Sequence, residues 1–370
     1  PCPHSANYPY NNYTKVKQND EARRMAESGK GIADNMPTTF AILGDGAWGT
    51  AIALLLAQNP AHRVTLWSAR EENGRLLQER RENVRLLPGM PIPPAIQLTT
   101  DIRQAVAAAD LWVAAIPTVY LRATLTRIAA AVQTRPPVLS LAKGLENGTF
   151  LRPSEILTQV LGVEQTAILS GPSHAEETSR GLPASVVVAS RDLELARWIQ
   201  QLFNTERFRV YTNADPVGVE LAGALKNIIG IAAGINDGLG LGDNAKAALL
   251  TRGLVEMTRF GVALGGQAQT FSGLAGLGDL ITTCISPHGR NHRVGQRLAR
   301  GERWSDIQAA MTMVAEGAFT ARSVHERAGQ MGIDVPITTE VYRVLYENKD
   351  PRVAVTELML REPKGEMESL

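Results

Sequence analysis

The chain has 370 residues, 44% of them hydrophobic, with 38 Lys and Arg against 37 Asp and Glu. That length predicts two domains, with a core large enough to need no covalent staples. A net charge of +1 argues against a general nucleic-acid binder, which carries a basic excess, though a local basic patch stays open. Two cysteines, Cys2 and Cys284, are too few for a disulfide framework and fit a reducing, cytoplasmic compartment.

Residues 1–36 are polar and rich in Asn and Tyr, which predicts a flexible N-terminal extension. They lack the basic-then-apolar order of a secretory signal, and Asp20, Glu21 and Glu27 interrupt any transit-peptide pattern. From Thr39 onward, short apolar runs alternate with helical patterns. Strands are expected at 40–43, 63–67, 111–116, 137–141, 166–170, 184–189 and 208–211, with a helix over 50–58. Short buried strands separated by helices predict an α/β domain over 37–215, its sheet mostly parallel with helices on both faces. After Asp215 the strands stop. Helices are expected at 216–235, 244–264, 291–300, 304–311, 318–330 and 338–346, an all-α domain over 216–362 with a flexible tail at 363–370. No membrane span is expected: the most apolar stretch, Leu221–Ile235, is too short and is interrupted by Lys226 and Asn227. A cleft between two such domains is the natural ligand site.

The run Gly44-Asp45-Gly46-Ala47-Trp48-Gly49 fits G-x-G-x-x-G between the first strand and the first helix. Glycines there allow a tight turn and close approach of backbone to a pyrophosphate, which then faces the helix N-terminus. This makes the first domain Rossmann-like and implies NAD(H) or NADP(H). The second strand ends Leu66-Trp67-Ser68-Ala69-Arg70, without the acidic residue that binds the ribose of NAD. Ser68 and Arg70 could hold a 2′-phosphate instead, which favours NADP(H) without excluding NAD(H). Arg70 also reads as an exposed arginine at a helix start.

In the second domain Gly223, Lys226, Asn227, Gly230 and Gly234 share one helix face, bare except for Lys226 and Asn227. A ligand or a second backbone can approach such a face. A desolvated Lys226 there would have a lowered pKa, as a proton donor working near neutrality requires. The alternative is tight packing through the glycines, with Lys226 snorkelling to water. Asp279 follows a glycine run, where it could orient a lysine or cap a helix. Arg290, in Gly289-Arg290-Asn291, could grip a phosphate beside helix amides or be a surface arginine. Lys143 emerges at the C-terminal end of a strand, where open α/β sheets bind ligands, or is an exposed loop lysine. Ser173 with Glu176 matches a capping box. Cys284, His288 and His292 have C-x3-H-x3-H spacing, but Pro287 and Gly289 break the helix that zinc would need, and no metal is expected.

Taken together, the motifs resemble bacterial-type NAD(P)-dependent glycerol-3-phosphate dehydrogenase over residues 38–360. They are Gly44–Thr50, Lys143–Glu146, Gly171-Pro-Ser-His-Ala-Glu176, Leu225–Ile228, Gly273–Asp279, Gly289–Asn291 and Val314–Gly317, in that order. The resemblance implies reversible reduction of dihydroxyacetone phosphate to sn-glycerol 3-phosphate, supplying glycerophospholipid synthesis in the cytoplasm. It makes Lys226 the proton donor and acceptor. It places Lys143, Gly171, Ser173, Asn227, Asp279, Gly289, Arg290 and Asn291 at the substrate. It places Gly44, Gly46, Ala47, Trp48, Gly49, Ala69 or Arg70, Lys143, Ala175, Arg290, Val314 and Glu316 at the coenzyme. Asn227 and Asp279 would position the lysine and the substrate hydroxyl. A homodimer is expected because two-fold pairs are the commonest oligomers. Two other readings stay open: a related hydroxy-acid dehydrogenase, which would lack a phosphate grip, and a nucleotide-sensing module without turnover, which would lack Lys226 or Asp279.

Overall fold

The computed structural model describes residues 37–286, 289–363 and 365–366. The expected extension at 1–36 with Cys2, the Pro287–His288 pair, Lys364 and residues 367–370 of the expected tail lie outside the described residues.

Strands occupy the first part of the chain: β1 (Thr39–Leu43), β2 (Arg63–Trp67), β3 (Glu82–Asn83), β4 (Leu87–Pro91), β5 (Ile96–Thr99), β6 (Leu111–Ala114), β7 (Val138–Ser140), β8 (Thr166–Ser170), β9 (Ala184–Ala189) and β10 (Phe208–Asn213). Eight of them form one sheet in the order β10-β9-β8-β7-β6-β1-β2-β5, while β3 and β4 pair as a small antiparallel ribbon. Neighbours run parallel except β8 and β9. The inner strands are apolar on both faces, and Phe40, Ile42, Trp112 and Val113 are fully buried, as a sheet covered by helices on both sides requires. β1 lies between β2 and β6. The strand order therefore reverses beside β1, and ligands of open α/β sheets bind at such a switch point.

Strands β3, β4 and β5 are not among those expected from the sequence. The segment Leu86-Leu-Pro-Gly-Met-Pro91 carries two prolines and a glycine, so it reads as loop. β5 is a four-residue edge strand, defined by its pairing with β2 rather than by a long pattern.

From Pro216 on, the described residues form helices but no strands. The central helix is Pro216–Leu239, 24 residues long and almost entirely buried. Helices Gly242–Ala263, Asp279–Ile285, Arg290–Ala299 and Glu316–Met331 pack around it. Its length corrects one expectation. The helix is long and apolar enough to cross a bilayer, but 94% of its most apolar window is buried inside the fold. The glycine face meets a second backbone. A Cβ on Gly234 would fall 2.0 Å from the His292 carbonyl oxygen, and one on Gly295 would fall 2.0 Å from that of Ile231. Glycine at both positions lets the Arg290–Ala299 helix cross in backbone contact, which fixes the residues at its N-terminus relative to Lys226.

Candidate active site

The glycine loop leaves β1 at the switch point. Gly44 has φ +124°, and a Cβ there would lie 2.6 Å from the Ala115 carbonyl oxygen. A Cβ on Gly49 would lie 2.1 Å from the Gly44 oxygen, whereas one on Gly46 meets nothing within 4 Å. Gly44 and Gly49 therefore close the turn, and Gly46 leaves its outer side open. The helix that follows, Ala47–Leu56, has neither a side-chain cap nor an acidic residue in its first turn, so its amides are available to an anion. Ala175 packs with Ala51 and Leu87 against Ala47 and Trp48, bringing the 171–176 turn beside this loop. The residues present thus fit a dinucleotide, and Ala69 and Arg70 lie exposed at the tip of β2.

Three parallel strands deliver site residues from one edge of the sheet: β1 ends in the glycine loop, β7 leads to Lys143, and β8 leads to Gly171 and Ser173. Lys143 Nζ donates to Asp279 Oδ2 at 2.8 Å, Ser173 Oγ at 2.9 Å and the Gly171 oxygen at 2.9 Å. Lys226 Nζ donates to Thr283 Oγ1 at 2.5 Å and lies 3.2 Å from Asp279 Oδ1. Asp279 therefore bridges the lysine from the sheet and the lysine from the central helix.

Electrostatics follow from this shared carboxylate. Burial pushes the Lys226 ammonium down to about 8; Asp279 opposes the shift, while the charges on Lys143 and Arg290 add to it. For Asp279, burial alone would push the carboxyl upward, but Lys143 and Lys226 outweigh it and hold the group below its ordinary value. An ammonium near 8 carries a proton at neutrality and can release it, whichever way the reaction runs.

A second line of contacts backs the site. Asn227 Nδ2 donates to the Lys143 main-chain oxygen at 2.9 Å and to the Gly223 oxygen at 3.3 Å. Asn291 Nδ2 donates to Asn227 Oδ1 at 2.9 Å, and Asn291 Oδ1 accepts from the Gly317 amide at 3.1 Å. Gly289 opens the Arg290–Ala299 helix without a side-chain cap, and exposed Arg290 donates to the Val314 oxygen at 3.2 Å. Glu316 Oε1 accepts the Thr118 amide at 2.8 Å, linking the helical part to the segment after β6. Residues from both halves of the chain thus meet around Lys226, Asp279 and Lys143, while Ala47, Trp48 and Ala175 group at the glycine loop, Ala69 and Arg70 stand at the tip of β2, and Arg290 meets Val314.

Several details differ from expectation. Lys226 does not snorkel; it is buried on Thr283 and Asp279. Asn227 braces the Lys143 backbone and Asn291, not the Lys226 ammonium. Asp279 is not the N-cap of its helix; it is the first residue of that helix, directly after a π-helical turn, Leu274–Gly278, formed by the glycine run. The capping box at Ser173 is not formed. The short Ala175–Ser179 helix begins after His174 with no side-chain cap, and Ser173 donates to the Gly171 oxygen instead. His292 pairs with Asp237 at 2.8 Å, and buried Cys284 sits on a helix that ends at Ile285. No group of three or more His, Cys, Asp or Glu placed to hold a metal occurs among the described residues. Thr283 was missed; its one signal is its place one turn after Asp279 on the same helix face.

Comparison with known proteins agrees with this geometry. Family models described as NAD-dependent glycerol-3-phosphate dehydrogenase N-terminus and C-terminus match residues 39–196 and 215–356. A glycerol-3-phosphate dehydrogenase [NAD(P)+] of Chlorobium phaeobacteroides is 47% identical over 329 residues, 88% of this chain and 98% of that protein. One of Geobacillus thermodenitrificans is 48% identical over 332 residues, 89% and 96%. The crystal structure of glycerol-3-phosphate dehydrogenase from Coxiella burnetii superposes with a TM-score of 0.84 at 38% identity, covering 88% of this chain and 99% of that one.

Proposed function

The chain belongs to the NAD-dependent glycerol-3-phosphate dehydrogenase family, and from that premise we propose that it reduces dihydroxyacetone phosphate reversibly to sn-glycerol 3-phosphate, with Lys226 as the proton donor and acceptor. The observation that carries this is the pair of lysines on buried Asp279, half-buried Lys143 from the sheet and buried Lys226 from the central helix, with Arg290 nearby. Two lysines on one carboxylate, with the charge of Arg290 felt at Lys226, leave an excess of positive charge that a phosphorylated substrate would balance.

When bound, the reduced nicotinamide supplies a hydride to the C2 carbonyl of the substrate. Lys226 then gives its proton to the oxygen at C2, which becomes the hydroxyl, and takes it back when the reaction runs in reverse. Before that transfer, the Lys226 ammonium stabilises the charge gathering on the oxygen. Asp279 keeps Lys226 protonated and aimed, and Lys143 holds Asp279 in place. Arg290 and the uncapped amides after Gly289 take the phosphate and fix the orientation of the substrate. In this reading Gly171, Ser173 and Asn291 complete the substrate site. Gly44, Gly46, Ala47, Trp48, Gly49, Ala69, Ala175, Val314 and Glu316 border the coenzyme.

The coenzyme is NADP(H) or NAD(H), with the preference for NADP(H) resting on Arg70 as the contact for its 2′-phosphate. The domain boundary is placed between Asp215 and Pro216, and the enzyme acts as a cytoplasmic homodimer supplying glycerophospholipid synthesis. The test follows the absorbance of NADH and of NADPH in parallel after adding dihydroxyacetone phosphate to the purified chain. Oxidation of the coenzyme is expected. A chain that binds coenzyme yet oxidises none of it with this substrate would discard the assignment.

A further inference from the structure

We propose that Asp45, in the glycine loop, supplies the ribose-binding carboxylate that the tip of β2 lacks, so that it binds the adenosine ribose of NAD(H) and opposes the 2′-phosphate of NADP(H). This rests on the dinucleotide reading above but not on the identity of the substrate.

β2 ends at Trp67 and continues Ser68-Ala69-Arg70, with no acidic residue. The tip is nonetheless beside a carboxylate. Ser68 Oγ donates a hydrogen bond to Asp45 Oδ2, although Asp45 lies 23 residues earlier, between the first two glycines of the loop. The loop is pinned there from a second side. Asn83, from β3, donates through Nδ2 to the Asp45 main-chain oxygen at 2.8 Å and to Thr50 Oγ1 at 2.8 Å. The carboxylate is therefore placed, not loose.

Its surroundings are those of a group awaiting a partner. Among the described residues no lysine, arginine or histidine forms an ion pair with Asp45. Burial raises its carboxyl above the ordinary value, and hydrogen bonds from Ser68, its own main chain and Asn73, with the charge on Arg70, offset this incompletely. A ribose 2′-hydroxyl is a donor that such a carboxylate accepts. A 2′-phosphate is an anion that it repels.

The same bond changes the part played by Ser68. A serine hydroxyl has one proton to give, and here it goes to Asp45. Ser68 is therefore not a free donor for a 2′-phosphate, and exposed Arg70 is left as the cation at the tip. Asp45 and Arg70 thus pull coenzyme choice in opposite directions from one place.

The test is binding, read without any substrate. The full-length chain is titrated with NADH and separately with NADPH, and quenching of tryptophan fluorescence is followed, since Trp48 lies in the loop. The proteins are wild type, Asp45→Asn, Asp45→Ala and Arg70→Ala, each checked by its thermal melt. In both Asp45 variants the ratio of the NADH Kd to the NADPH Kd should rise by about 10-fold or more, the scale of one hydrogen bond to a charged group. In Arg70→Ala it should fall, through weaker NADPH binding. Parallel weakening of both coenzymes in the Asp45 variants would reduce Asp45 to a brace for the loop and overturn the proposal, as would an unchanged ratio. Wild-type protein that binds NADPH more than about 10-fold tighter than NADH would overturn it too, even if no Asp45 variant folds; the cut-off is the same hydrogen-bond scale. A wild-type chain with the predicted binding pattern but no oxidation of NADH by dihydroxyacetone phosphate would sink the substrate assignment and leave this proposal standing.

Discussion

The central helix carries two buried charges six residues apart, Glu220 and Lys226, and their partners differ in kind. Glu220 accepts from Arg152 Nη1 at 2.6 Å, the Ser154 amide at 2.7 Å and Ser154 Oγ at 2.7 Å. Arg152 answers Glu220 and also pairs with Glu155 at 2.8 Å, and a main-chain amide and a hydroxyl fill the rest of the Glu220 carboxylate. Lys226 instead shares Asp279 with Lys143, and Arg290 adds a third positive charge nearby. The first cluster has no cation to spare; the second sets two lysines on one carboxylate, with Arg290 close by. A buried charge balanced within the chain joins pieces of the fold, whereas one left in excess is set for a ligand of opposite sign.

The largest expected effect is at Lys226. Lys226→Ala should lower kcat by at least about 100-fold, the usual contribution of a general acid–base group, while coenzyme binding is kept. Steady-state kinetics beside a coenzyme titration checks this. The same residue should add little to stability. Its folded-state value of about 8 lies below the ordinary 10.5, so the fold disfavours the ammonium. That penalty, on the order of 3 kcal/mol, is full below about pH 8, fades between about 8 and 10.5, and is gone above that. Lys226→Met, which removes the charge and keeps the bulk, should therefore melt no lower than wild type at pH 7. An inactive variant with a much lower melting temperature would erase the contrast with Glu220.

Glu220 is the other half of the comparison. Glu220→Ala leaves Arg152 with Glu155 alone, unpairs the Ser154 amide and hydroxyl beside a buried gap, and should cost about 3 kcal/mol, the usual penalty for breaking a buried pair. Chemical denaturation measures it. The folded variant should keep kcat within a few-fold of wild type. A stable but inactive Glu220→Ala protein would show that this cluster belongs to the site after all.

The site was more legible than the frame that holds it. The glycine loop, Lys226 on its glycine face, Asp279 and Arg290 stand out because each needs an uncommon residue in an uncommon setting. The strands that carry long apolar runs, such as β8 and β9, were also legible. β5 was not, because four residues at a sheet edge leave too short a pattern. β4 was not, because its prolines and glycine read as loop. Thr283 was hidden for a different reason. A threonine in a helix is ordinary, and its meaning comes from the Lys226 ammonium that a distant helix brings to it. Asp45 lay in plain sight within the glycine motif, and its link to Ser68 exists only in three dimensions.

Arg290 tests the excess charge directly. It is exposed and makes one bond to the Val314 oxygen within the chain, so the fold does not depend on it heavily. Arg290→Ala should raise KM for the phosphorylated substrate by about 10-fold or more, the scale of a charge-assisted hydrogen bond, with a smaller change in kcat. An unchanged KM would move the phosphate site elsewhere.

The smallest effect is the most specific. With Lys226 titrating near 8, ketone reduction needs the ammonium and should fall as pH rises through about 8. Alcohol oxidation needs the neutral amine and should rise over the same range. Thr283 accepts a hydrogen bond from the ammonium, so it favours the charged form, and its loss should lower the pKa of the lysine further. In Thr283→Val the alkaline limb of the reduction profile should move to lower pH by up to about one unit, the worth of a single such bond. At pH 7 the rate should drop by about two-fold or less, because about half or more of the lysine would still carry its proton. A limb that stays in place while the rate falls would make Thr283 a packing residue. A limb that moves to higher pH would mean that the hydroxyl donates to the neutral amine, reversing the hydrogen bond assigned here.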